Sequence, residues 1–273
     1  MASFRLPPAL SRSLELEEVE VTPLQASLWA EGSAGSDVLI EATSSPGTAI
    51  TLAVLIIERL VDALEAAEAA IPLYLRKRKS LQRQKSATSF PSLTNLFFGS
   101  ASSTSSDKRP TLQALVLTKN REVAASVAEA LRRIGKGCVP DLAVATLTGG
   151  IPVAENAKTL QGGCHIAVGT PGRVKFLLDK GLLSTKPAKQ LVLESADWLL
   201  APVFLEDVRS IVRVLSEEKQ VIASSTVGPT AEIVESLCAL VGVPALKRLD
   251  ASGAVQESRV RMPTPLPSPS LSA

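Results

Sequence analysis

The sequence predicts an α/β fold, a parallel sheet with helices on both faces in a single domain. Short apolar runs of five or six residues recur along the chain. Between them lie segments with apolar residues three or four apart, the period of a helix with one buried stripe. The two kinds of segment alternate, as in repeated β–α–β units. Their strands are buried on both faces and so read as nearly continuous apolar runs.

Strands are expected at Asp37–Glu41, Gln113–Thr118, Leu142–Leu147, His165–Gly169, Gln190–Glu194 and Gln220–Ser224. Helices are expected at Thr51–Ala70, Arg121–Ile134, Val174–Lys180, Leu205–Leu215 and Thr230–Val241. In the second helix Val123, Val127, Leu131 and Ile134 make one stripe, and Gly135 supplies a stop. The domain should cover residues 20–245, after an N-terminal segment 1–19. From residue 246 a Pro/Ser-rich tail, ending MPTPLPSPSLSA, should be disordered.

Composition narrows the function classes. With 273 residues, 45% of them hydrophobic, the chain can bury one substantial core. A net charge of +2 selects no partner. Cys138, Cys164 and Cys238 are widely spaced and odd in number, which excludes a full disulfide framework and a CxxC zinc site. An intracellular location, nucleus or cytoplasm, is the expectation. His165 is the only histidine, so multi-His metal sites are excluded, and within its apolar run it reads as a satisfied strand residue. The most apolar stretch, Ala49–Ile57, runs straight into Glu58, Arg59 and Asp62 and is too short to cross a bilayer. No membrane association is expected. Met1–Ser13 holds Arg5 and Arg12 without an acid, a weak likeness to an organellar transit peptide that lacks a useful amphipathic pattern.

Short motifs follow one another in a fixed order. They are Thr22-Pro23-Leu24-Gln25, Ala42-Thr43-Ser44-Ser45-Pro46-Gly47-Thr48-Ala49, Lys119-Asn120-Arg121-Glu122-Val123-Ala124, Gly149-Gly150 and Thr170-Pro171-Gly172-Arg173. Glu194-Ser195-Ala196-Asp197 and Ser224-Ser225-Thr226 complete the series. No single one is specific. Taken together, their order and spacing resemble the first RecA-like domain of DEAD-box RNA helicases, over roughly residues 20–245. The matching segments are the glutamine motif, the phosphate loop, the PTRELA, GG and TPGR motifs, the DEAD box and the SAT motif.

The departures are chemical. A phosphate loop works through converging backbone N–H groups, a lysine on the β/γ-phosphates and a Ser/Thr hydroxyl on Mg²⁺. At the lysine and hydroxyl positions this chain has Thr48 and Ala49, and Pro46 removes one N–H. Gly47 alone fits, and by itself it is equally a strand-to-helix turn. At the DEAD position Glu194 replaces the metal-holding aspartate with a longer acid, and Ser195 cannot act as a carboxylate base. The resemblance implies that Asp197 bonds to the SAT segment, Ser224 and Thr226, although a local cap would explain Asp197 equally well. Gln25 would read adenine in the family, or be structural here. No cofactor is expected, and ATP with Mg²⁺ would bind only weakly. No catalytic residue and no metal ligand is assigned.

The other motifs keep their pattern. In the family they contact the RNA sugar–phosphate backbone, and here Arg121, Gly149, Gly150, Thr170, Gly172 and Arg173 stand at matching positions. Glycines allow close backbone approach, a helix N-terminus favours an anion, and Arg173 adds a fork of donors. Single-stranded RNA, held through its backbone, is therefore a candidate partner. The alternative is that these are tight turns and Arg121 pairs with a nearby acid. Between Arg76 and Pro110 a basic, Ser-rich insertion starts with six positive charges in ten residues. It reads as a solvated loop, an electrostatic RNA arm or a nuclear import signal. Within the insertion only Phe90, Phe97 and Phe98 follow the basic run, so base stacking is not indicated.

Two function classes follow. One is a module without helicase activity, acting through RNA or protein contacts in an RNA–protein assembly. The other is a slow ATPase completed by a partner's second RecA-like domain, since too few residues follow Val241 for another sheet. A truncated copy with no specific role is a third possibility.

Overall fold

In the computed structural model, which describes residues 6–17, 21–42, 46–69, 109–139, 141–228, 230–250 and 252–259, strands and helices alternate along most of the chain. The strands are β1 (Val38–Glu41), β2 (Ala114–Thr118), β3 (Val144–Leu147), β4 (Ile166–Gly169), β5 (Gln190–Glu194), β6 (Gln220–Ser225), β7 (Ala245–Leu249) and β8 (Val255–Arg259). They form one sheet in the order β3-β4-β2-β5-β6-β1-β7-β8. Every neighbouring pair is parallel except β7–β8. The helices are α1 (Pro8–Leu16), α2 (Pro23–Ser33), α3 (Pro46–Ala69), α4 (Arg121–Gly135), α5 (Val153–Gln161), α6 (Pro171–Asp179), α7 (Ala196–Leu199), α8 (Pro202–Arg213) and α9 (Ala231–Val241).

Strand side chains alternate between the two faces, and both faces are apolar. Val38, Ile40, Val116, Val168, Val192 and Ile222 belong to a core shared with α1 to α4. Leu39, Leu115, Leu117, Leu191, Leu193 and Val221 belong to a second core shared with α6 to α9. This is the predicted parallel sheet with helices on both faces. Each fully buried Leu, Ile or Val contributes about 1.5–3 kcal/mol relative to exposure, so the two layers hold the sheet between them.

The core extends past the expected boundaries at both ends. Leu10 and Leu14 of α1 are buried against the first core, and Arg133 of α4 pairs with Glu17. The tail expected from residue 246 is corrected: β7 adds to β1 in parallel and β8 returns antiparallel to it. Leu246 faces the second core and Leu249 the first, so β7 shows no one-sided alternation. Lys247 and Arg248 lie between them and mask the strand. Residues 260–273, the greater part of the insertion (76–108) and residues 1–5 lie outside the described residues.

Two finer expectations change. Gly135 does end α4, but not as a left-handed cap: a Cβ there would stand 2.3 Å from Leu142 Cδ2 and 2.9 Å from Ile57 Cδ1, so the position is held by close packing. The third strand begins at Val144 rather than Leu142, because Leu142 is taken up in that contact.

His165 precedes β4, and its Nδ1 accepts the Ala143 N–H at 3.1 Å. This bond requires the neutral ring, and burial pushes the imidazole below its ordinary 6.5. The neutral form therefore adds stability that is complete above pH 6.5 and is lost as pH falls through the lowered folded value. Asp37 and Glu58, whose carboxyls burial raises, act with the opposite sign. We expect His165→Gln to flatten the urea-unfolding free energy as pH falls below 6.5, relative to wild type. Parallel pH profiles for the two proteins would contradict this.

Candidate nucleotide and nucleic-acid faces

In open parallel sheets, ligands bind outside the carboxyl ends of the strands. The described motif residues lie at that edge. Because β5 lies between β2 and β6, the turn after β5 separates two groups of loops.

That turn is held from both sides. Ser195, immediately after β5, is left-handed (φ 62°, ψ 60°) and fully buried. Its N–H donates to Ser224 Oγ at 3.1 Å, and its hydroxyl donates to Glu194 Oε1 at 3.1 Å. Two residues on, Asp197 Oδ1 accepts the Thr226 N–H at 3.1 Å and Oδ2 accepts the Thr226 hydroxyl. The structure thus brings Asp197 and Thr226 together, whereas Ser224 reaches the Ser195 backbone instead of Asp197. Asp197 carries two bonds across to the end of β6.

On the β1 side, Thr22 and Gln25 form a reciprocal cap at the start of α2. Gln25 Oε1 accepts the Thr22 N–H at 2.9 Å, and Nε2 donates to Thr51 Oγ1 at 2.9 Å. The Thr51 hydroxyl donates in turn to the Gly47 carbonyl at 2.7 Å. A relay from Gln25 through Thr51 therefore ties α2 to the first turn of α3, and both ends of the Gln25 amide are engaged. Gly47 is exposed, whereas Thr48 and Ala49 are buried. Residues 43–45 lie outside the described residues. Thr51 was not singled out in the sequence. A hydroxyl among the apolar residues Ala49–Ile57 was the available signal.

On the other side, Arg121 opens α4 and is exposed, with Nη1 3.4 Å from the Gly149 carbonyl rather than against an acid. Gly150 has φ 97°, and a Cβ there would lie 2.8 Å from Arg121 Nη1, so only glycine suits this turn. Thr170 caps α6 through its backbone without a side-chain bond, and Gly172 in the first turn is exposed. Arg173 is engaged internally. Its Nη1 donates to the Ile151 carbonyl at 2.6 Å and to Asn156 Oδ1 at 2.7 Å, and buried Asn156 donates to the Thr146 carbonyl at 3.3 Å. Arg173 and Asn156 thus brace the segment after the Gly149-Gly150 turn, a role that sequence spacing does not reveal. Among the described residues no group of three or more His, Cys, Asp or Glu could hold a metal ion, and no helix is long and apolar enough to cross a membrane.

The family model of DEAD/DEAH box helicases matches residues 22–234. The chain belongs to the DEAD/DEAH box helicase family. A probable eukaryotic initiation factor 4A of Trypanosoma brucei brucei is 39% identical over 120 residues, covering 43% of this chain and 30% of its own length. The RNA helicase CrhR of Synechocystis is 33% identical over 177 residues, covering 65% of this chain and 35% of the relative. The chain thus spans about a third of the length of these relatives. Among solved structures, a DEAD box protein from Methanococcus jannaschii superposes with TM-score 0.66 at 18% identity, covering 92% of this chain and 55% of the other. Saccharomyces cerevisiae Dbp5, solved bound to Gle1, superposes with TM-score 0.63 at 15% identity, covering 90% and 50%. At such identities these structures show the RecA-like fold alone.

The bonds from Asp197 yield a stability prediction. Thr226→Val removes the hydroxyl from a carboxylate, and a hydrogen bond to a charged group is worth about 1.5–3 kcal/mol. The valine variant should lower the unfolding free energy by an amount near the bottom of that range, and the urea midpoint with it, with Thr226→Ser close to wild type. Equal midpoints for valine and wild type would contradict the geometry.

Proposed function

We propose that this DEAD-box domain is a degenerate member without helicase activity of its own, acting through contacts to an RNA backbone or to protein in an RNA–protein assembly. One observation carries the reading. At the first turn of α3, where a triphosphate needs a lysine and a metal-binding hydroxyl, the chain buries Thr48 and Ala49, while at the other loops Arg121 stands exposed over Gly149-Gly150. Ser195 compounds the loss, because a buried hydroxyl bonded to Glu194 cannot take a proton from an attacking water as a carboxylate would. Phosphoryl transfer rests on positioning and charge stabilisation, and loss of a single arginine finger can cost about 10³–10⁵ in rate. A phosphate loop lacking its lysine, its hydroxyl and one N–H should lose triphosphate binding itself.

The segment from Cys164 to Lys175 (CHIAVGTPGRVK) is similar to the DEAD-box component of the survival-of-motor-neuron complex, which supports an assembly role. RNA binding at the Arg121 side would be backbone-directed, salt-sensitive and indifferent to sequence. Gln25 and the Asp197–Thr226 bonds favour the second reading, a slow ATPase completed by another chain's RecA-like domain.

Calorimetric titration separates the two. With Mg²⁺-ATP at millimolar concentration we expect no heat and no thermal shift, and saturable binding would overturn the degenerate reading. Separately, single-stranded RNA should bind with a negative slope of log affinity against log salt. Arg121→Ala should reduce that slope by about 0.7, the loss of one phosphate contact. An unchanged slope in the folded variant would remove the RNA backbone from the reading. A chain that bound neither RNA nor protein would be the copy without a role.

A further inference from the structure

The sequence contains two tryptophans, which sit in opposite environments. Trp29 is 1% exposed and donates its indole N–H to the Thr51 carbonyl. Trp198, on α7 immediately after Asp197, is 54% exposed. Its ring lies under Lys119, whose ammonium is 5.8 Å from the ring centroid. A large aromatic left more than half open, beside a cation, needs an explanation that core packing does not give.

Lys119 leaves the end of β2 two residues before Arg121. β2 and β5 are direct neighbours, with Thr118 in register with Glu194. The sheet therefore carries Lys119 and Trp198 to adjacent strand ends, next to the turn where Arg121 stands over Gly149-Gly150. Asp197 is bonded to Thr226, so the α7 turn cannot swing away to bury the ring. An exposed indole on a fixed turn, with a cation over its ring, has the two parts of a single-stranded nucleic-acid contact: a π face for a base and a charge for the adjoining phosphate.

We propose that Trp198 is a stacking platform for one unpaired base of single-stranded RNA, with Lys119 holding the adjoining phosphate. The site rests on the RNA-backbone reading of Arg121 and adds a base contact to it. Phe90, Phe97 and Phe98 had given no reason to expect stacking. In the sequence Trp198 follows the acidic motif directly, and no spacing marks it as exposed. Stacking is tolerant of base identity, so the site senses whether a base is present and unpaired, not which base it is.

The test compares a short uridine oligonucleotide with one of equal length and phosphate number carrying abasic positions, using tryptophan fluorescence of the full chain. Because Trp29 is buried, quenching reports Trp198. Wild type should bind the base-bearing oligonucleotide with quenching and bind the abasic one more weakly. One stacked base is worth roughly a five- to hundredfold difference in affinity. Trp198→Ala should abolish the difference between the two oligonucleotides, and Trp198→Phe should keep part of it. Arg121→Ala should weaken both equally and leave the difference intact.

Equal, salt-sensitive binding of both oligonucleotides by wild type would overturn the platform while sparing the backbone reading. It would leave the open surface of Trp198 to a protein partner. Binding of neither oligonucleotide would overturn both.

Discussion

The motif edge of the sheet depends on one constraint: the turn after β5 must be held in a left-handed conformation at a residue that has a side chain. A non-glycine residue in this region costs of order 1–3 kcal/mol. It persists because Ser224 Oγ accepts the Ser195 N–H, while two residues later the Asp197 carboxylate takes two bonds from Thr226. Charge-assisted hydrogen bonds of about 1.5–3 kcal/mol each are enough to offset the strain. With the turn fixed, β5 and β6 end in register, Glu194 is buried, and the short α7 carries Trp198 outward. The arrangement is closed by the chain's own groups.

The same self-sufficiency appears on the β1 side. Gln25 is engaged at both ends of its amide, and Thr51 passes the connection to the Gly47 carbonyl. On the opposite side the Gly149-Gly150 turn is open, and Arg121 makes one long bond to a carbonyl. Among the described residues, the proposed loss of nucleotide chemistry and retention of a nucleic-acid face thus correspond to two physical states, turns tied by the chain's own groups and a turn that leaves a donor facing outward. Arg173 crosses this division. Its position matches an RNA-contacting residue of the family, yet its Nη1 braces Ile151 and Asn156, so it acts here at least as a strut.

The central strands were legible because two-sided burial makes apolar runs such as Leu115-Val116-Leu117 and Leu191-Val192-Leu193 unmistakable. The stripe of α4 was legible for the same reason at helical period. What escaped was structure whose signal is split between faces or supplied by distant partners. In β7, Leu246 and Leu249 serve different cores, so neither period appears. In α2, the apolar residues Leu24, Leu28 and Trp29 give way to Gly32 and Ser33 where the helical stripe would continue, and the Thr22–Gln25 cap reads as a motif as much as a helix start. At the site, Gln25 could be placed by spacing, but its partner Thr51 lies 26 residues away, and no local pattern joins them. Gly135 read as a helix stop when its reason is the closeness of Leu142.

The central claim is that the nucleotide-side turns are complete without a nucleotide. Native-state amide hydrogen exchange at Ser195 and Thr226, with and without millimolar Mg²⁺-ATP, tests it directly. Both N–H groups are donors in the bonds that hold the turn. Strong protection is expected at both amides in the free protein, and the same protection with nucleotide. Fast exchange in the free protein that slows on adding Mg²⁺-ATP would contradict it, by showing that these loops still wait for a ligand to order them.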